Sequence, residues 1–279
     1  MTKTLSDPTV SGLQNFVDSF LAVGKMLLQS RPTKIAKVSG DKPLIIMGNG
    51  LSLRQTLTDY AELLKKSETL AVNFAANSPE FFEIKPKYYV LADPHFFKGK
   101  ENDNVRRLYE NLTKVDWKMT LFIPRKENAT ELSNLTIEKF NMVGIEGWHK
   151  LQNFAFDHAL AMPRPRNVLI ASIMVAIFKG FKEIYLVGAD HSWLQTISVN
   201  EQNEVVSIQP HFYKEEKKEE TRIKSEYSAY PLHQIIYSFY IAFRAYHQIR
   251  RYADTHGITI YNATPASFID AFERKNLPQ

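Results

Sequence analysis

The chain predicts an α/β fold, a Rossmann-like, mostly parallel sheet with helices on both faces, preceded by an N-terminal helix and carrying a lid insertion. Short apolar runs recur along the sequence and each ends on a polar or turn-forming residue. Helical patterns lie between them. Strands that are apolar throughout are expected in a sheet covered on both sides, and ligands of such sheets bind beyond the carboxyl ends of the strands.

Residues 10–30 carry Leu13, Phe16, Val17, Phe20, Leu21, Val23 and Leu27 at mostly helical spacing, and Arg31 and Pro32 stop the pattern. Residues 1–40 are therefore expected to be a helical extension of a Rossmann-like domain over residues 41–279. The run Leu44, Ile45, Ile46 and Met47 is a buried strand feeding the turn Gly48, Asn49 and Gly50, and a helix over 52–65 follows. Further strands are expected over 69–72, ahead of Asn73, over 88–92, ahead of Asp93, and over 119–123, ahead of Pro124. A compact apolar helix fills 167–179, and the clearest strand, 183–187, runs into Gly188, Ala189 and Asp190. Residues 194–224 exceed an ordinary connection and hold a run of alternating charges, which suits a lid. A long helix over 227–256 stops at Gly257; a last strand, 258–261, and a short helix from Ser267 close the chain.

Composition narrows the function. Among 279 residues, 44% are hydrophobic and 23% charged, an ordinary globular balance. Without a cysteine, disulfides, Cys-based zinc sites, iron–sulfur clusters and a cysteine nucleophile are excluded. Lys and Arg (35) exceed Asp and Glu (30), a surplus that suits anionic ligands. Nucleic-acid binding lacks its second signature, because the aromatic residues sit at core spacing and do not interleave with a basic patch. With no membrane span or secretory leader in the pattern, the expected location is the cytoplasm. Arg244, Arg250 and Arg251 on the long helix allow peripheral association with an anionic inner-membrane surface, though an exposed, solvated helix face accounts for them better.

The candidate site gathers the strand ends. Gly48 and Gly50 permit close backbone approach to a ligand, Asn49 sits between them, and Ser52 can open the following helix, whose amino end attracts phosphate. The segment is neither a Walker A loop nor a dinucleotide fingerprint. Asn73, Asp93 and Asn167 can bond sugar hydroxyls and base edges; singly, each also suits a turn or a cap. Asp190 can accept from a sugar or orient an imidazole, and His191 and Ser192 follow it. His211 in the lid, with Tyr213 beside it, is the candidate general base, His191 its competitor. No His-Glu-x-x-His pair or Asp-x-Asp occurs, so no metal site is assigned.

Taken together, residues 44–53 (LIIMGNGLSL), the strand ends at Asn73 and Asp93, and residues 180–190 (GFKEIYLVGAD) resemble the bacterial sialyltransferases of glycosyltransferase family 42. They also resemble the related flagellin-glycosylation and pterin-pyrophosphokinase-like proteins. The similarity spans about 43–192 and the closing 260–267. It implies metal-independent glycosyl transfer from a nucleotide sugar, a CMP-sugar in that family, to a bacterial glycan or glycolipid acceptor, with a lid histidine as base. Carried over, Asn49 contacts phosphate or ribose, Asn73 the nucleotide or sugar, and Asp190 the nucleotide end. Leu51 stands where the family has proline, Asp93 where it has asparagine, and the family's Tyr-x-x-His lid motif is absent. Two other readings follow from the related proteins. A pyrophosphokinase would need Mg²⁺, with Asp93 and Asp190 as ligands; an accessory protein would bind the nucleotide sugar without turnover.

Overall fold

The structure is a computed structural model and describes residues 12–38, 42–99, 101–206 and 229–278. Its centre is an eight-stranded sheet in which every hydrogen-bonded neighbour runs parallel. From β1 (Leu44–Met47) the chain steps outward through β2 (Glu68–Val72), β3 (Tyr88–Val90), β4 (Thr120–Pro124) and β5 (Thr136–Phe140). A small parallel pair follows, β6 (Gly144–Ile145) and β7 (Met162–Pro163). The chain then returns to the other side of β1 with β8 (Glu183–Val187). The hairpin β9 (Ser198–Val199) and β10 (Val205–Val206) comes next. β11 (Thr259–Asn262) and β12 (Glu273–Arg274) then complete the sheet. The direction of winding therefore reverses between β1 and β8, the place where open α/β sheets leave a crevice.

Strand alternation builds two cores. Leu44, Ile46, Leu70, Val72, Ile184 and Leu186 face one layer with helices α7 (His149–Asp157), α8 (Val168–Lys179) and α9 (Leu232–Thr255). Ile45, Met47, Ala71, Tyr185 and Val187 face the other, with α2 (Leu53–Asp59), α3 (Ala61–Lys66), α4 (Pro79–Ile84), α5 (His95–Lys98) and α6 (Asp103–Thr113). Helix α8 is apolar on every side because it is wedged between sheet and α9; eleven of its twelve residues are buried. It ends on Gly180 at φ +99°, the left-handed stop that glycine takes without strain.

Several expectations change. The helix over 52–65 breaks at Tyr60 into α2 and α3. Strand β5 was not expected, because Glu138 and Lys139 interrupt its apolar run, but as the terminal strand it has only one paired neighbour and admits polar side chains. The short helix from Ser267 does not form. Side chains fold residues 262–269 onto the end of β8 instead. Asn262 Nδ2 donates to Ile269 O at 2.9 Å, Ser267 Oγ to Ala189 O at 2.6 Å, and Thr264 Oγ1 accepts from Ala189 N–H at 3.0 Å. Of the expected lid, residues 194–206 form part of a 3₁₀ turn (Ser192–Gln195) and the β9–β10 hairpin. Residues 207–224, with His211 and Tyr213, lie outside the described residues.

The N-terminal helix α1 (Gly12–Gln29) forms and is attached to the rest by the side that carries Ser19, Ala22 and Met26. Ser19 Oγ accepts from Trp148 N–H at 2.9 Å, Ser30 Oγ donates to Leu160 O at 2.6 Å, and Ala22 enters the main core. Among the described residues no helix is long and apolar enough to cross a membrane.

Candidate functional site

At the reversal point, β1 and β8 end side by side, and glycine lets them meet. Gly48 N–H donates to Val187 O and Gly50 N–H to Gly188 O, both at 2.8 Å. A Cβ on Gly48 would lie 2.4 Å from Gly188 O, and one on Gly50 only 1.8 Å from Asp190 Oδ2. Gly188 takes φ +62°, a backbone form that side chains resist.

Asp190 joins this turn to the second half of the sheet. Its Oδ2 accepts from Ser52 Oγ–H at 2.7 Å and its Oδ1 from Ser52 N–H at 3.2 Å, across 138 residues of sequence. Its backbone oxygen accepts from Phe268 N–H at 2.8 Å. The amides of Gly48, Gly50 and Ser52, expected to face a ligand phosphate, are thus already bonded within the protein. Asn49 is buried at the centre of the turn.

One step deeper lies a polar cluster on three elements. Asn167 opens α8, its Oδ1 accepting from Ile170 N–H at 3.1 Å, which fixes the orientation of the amide. The Tyr246 hydroxyl, from α9, donates to the same oxygen at 3.0 Å. Tyr246 Oη also lies 2.6 Å from His191 Nε2. Asn167 Nδ2 lies 3.4 Å from the same ring nitrogen, so Asn167, His191 and Tyr246 form one polar cluster. His191 sits at φ +52°, its ring 4.2 Å from that of Trp193. Burial pushes its pKa down to about 3, so the ring is neutral at physiological pH. A base so weak is poorly matched to proton abstraction near neutrality, which counts against His191 in that role.

Other strand ends lie progressively farther off. Asn73 follows β2, next to β1, at φ +52°; its backbone oxygen accepts from the Tyr89 hydroxyl at 2.5 Å. Asn73 Oδ1 is buried and finds no hydrogen-bond partner among the described residues. Asp93 follows β3, and its Oδ1 accepts from His95 N–H at 2.8 Å, the local turn that its residue type also suits. Sheet order puts β3 three strands from β8, roughly 14 Å at the usual spacing. Asp93 and Asp190 are therefore not neighbours, and the pair expected to hold Mg²⁺ does not assemble. Ser192 opens the 3₁₀ turn beside His191. The three arginines of the long helix have partners within the protein: Arg244 with Glu146, Arg250 with Asp254, and Arg251 with Gln152.

Sequence reasoning missed Tyr246. Its place among core-spaced residues of the long helix hides it. The only available signal was chemical, since a buried phenol needs a partner for its hydroxyl. Thr264 and Ser267, which bind the backbone of Ala189, were missed because they lie 75 and 78 residues from it in sequence.

No protein-family model and no curated protein matches the sequence. Among solved structures, the chain is similar to the MAf glycosyltransferase from Magnetospirillum magneticum AMB-1, with a TM-score of 0.51 and 12% identity. The match covers 94% of this chain and 38% of that one. At this identity the likeness establishes a shared α/β fold, and the chain spans well under half the length of that protein.

Proposed function

We propose that the chain is a glycosyltransferase that takes a nucleotide-sugar donor at the junction of β1 and β8. The carrying observation is the arrangement of Asn49, Asp190, His191 and Asn167 around that junction, with Asn73 one strand away. The fold likeness to a glycosyltransferase supports the reading. In it, the unsatisfied Asn73 Oδ1 accepts from a base amine or ribose hydroxyl, which would remove the cost of a buried unpaired acceptor. The amino end of α8, a twelve-residue helix capped by Asn167, supplies positive potential for the departing phosphate. Ser52 and Asp190 act by holding the turn, and His191 by holding Asn167 and Tyr246 in register.

The finer reading keeps a CMP-sugar as donor, a glycan or glycolipid as acceptor, and no metal. The transfer would be inverting: the acceptor oxygen attacks the sugar carbon, the bond to the nucleotide phosphate breaks, and His211 takes the hydroxyl proton. A thermal-shift panel of CMP, UDP, GDP and ADP derivatives, with and without Mg²⁺, tests it. A donor at about 100 times its Kd is expected to add about 2.7 kcal/mol of stability. His211→Ala is expected to keep that shift and lose turnover. If no nucleotide moves the Tm, the reading fails. Binding without turnover across donors would favour the accessory role, and activity abolished by a chelator the pyrophosphokinase.

A further inference from the structure

Helix α1 turns its apolar side away from the protein. Leu13, Phe20 and Leu27 recur at intervals of seven and are 74%, 73% and 74% exposed, and Phe16 and Val23 fill the intermediate positions of the same seam. Leu21 and Leu28, again seven apart, widen it. The opposite side, with Ser19, Ala22 and Met26, lies against the body of the protein. A 3.5-residue repeat of apolar positions on an exposed face is the pattern by which one helix packs along another. Phe16 meets the half-exposed Trp148 edge-on, with ring centroids 5.9 Å apart, so the patch continues onto the neighbouring loop.

Its size can be judged from side-chain areas. With each large side chain offering on the order of 100 Å², the stripe and Trp148 expose on the order of 800 Å² of apolar surface. A monomer's largest apolar patch is about 300–600 Å², and each partner in a standard interface buries about 800 Å². We propose that this face is the interface with a second copy of the chain, two α1 helices packing along their Leu13–Leu27 seams about a twofold axis. The charge pattern favours a second copy over lipid. Asp18 and Lys25 are the charged residues of α1, whereas helices that lie on membranes carry a strongly basic polar face. Gly24 adds room, since a Cβ there would meet nothing within 4 Å. Phe20 lies near the middle of the helix, so a twofold axis brings it against its own copy in either orientation.

Sedimentation velocity of the full chain from about 0.1 to about 100 μM tests this, the range in which interfaces of this size often associate. A concentration-dependent dimer is expected. Phe20→Glu and Leu27→Glu, both exposed in the protomer, should keep the helical circular-dichroism signal and weaken the dimer at least about a hundredfold, each change counting twice by symmetry. Lys25→Gln, off the seam, should leave it unchanged. A monomer throughout the range, or a dimer indifferent to both glutamates, overturns the proposal. So does a monomer that floats with phosphatidylglycerol vesicles and loses that ability in Phe20→Glu, which would make lipid the occupant.

Discussion

At the residue scale, His191 has the most direct chemical consequence. Its side chain is buried against Trp193 and bonded to Tyr246, and burial lowers its pKa from the ordinary 6.5 to about 3. Between those values the unfolded chain binds a proton that the folded chain does not, so stability rises with pH. The contribution is complete above about pH 6.5 and is lost as pH falls toward 3. Urea unfolding from pH 7 to pH 4 should show the wild type losing stability more steeply than His191→Gln, which has no titrating ring; parallel slopes would show that His191 is not buried neutral. The positions of Asp190 and His191 beyond a strand were legible, since a short apolar run ending in Gly-Ala-Asp-His marks its own boundary. Tyr246 was not, because one hydroxyl on a core-spaced helix face gives no periodic signal.

At the element scale, α8 shows how a helix is fixed at both ends and buried between. The helix over 167–179 was expected, and Asn167 was visible as a cap among other readings. That the Asn167 oxygen also receives the Tyr246 hydroxyl was not visible, because α9 lies 79 residues away at that contact. Asn167→Ala removes the cap and leaves the phenol without its acceptor, so a loss of about 2 kcal/mol is expected. Tyr246→Phe keeps the cap and should lose about 1 kcal/mol. Because both substitutions remove one shared hydrogen bond, the double variant should lose less than the sum by urea denaturation; strict additivity would mean that the two side chains do not interact. Other elements departed from expectation where neighbours outweighed local pattern. In α1 the apolar stripe is the exposed face, and β5 keeps polar residues because it is at an edge. Residues 262–269 gave up a helix for hydrogen bonds to the end of β8.

At the scale of the whole molecule, the sheet is two windings that meet at β1 and β8, and the meeting is made by backbone contact at Gly48, Gly50 and Gly188. A methyl group on Gly48 would fall 2.4 Å from the carbonyl oxygen of Gly188. No flexible side chain can relieve that contact, so the halves must separate. Gly48→Ala is expected to cost about 3 kcal/mol, read as a lower urea midpoint of the cooperative transition. A change below about 0.5 kcal/mol, the scatter of neutral surface substitutions, would contradict the close approach.

The α/β class, the approximate positions of the inner strands, the glycine turn and the polar strand ends were determined by the sequence itself. Each depends on residues adjacent in the chain, whose apolar runs and turn formers act locally. Only the tertiary structure decided the strand order, and with it which ends meet: Asp190 beside Ser52, Asn73 one strand from the junction, and Asp93 too far to share an ion. Strand order arises from how helices pack on the two faces and from the direction in which the chain winds. A one-dimensional pattern of polar and apolar residues does not carry that information.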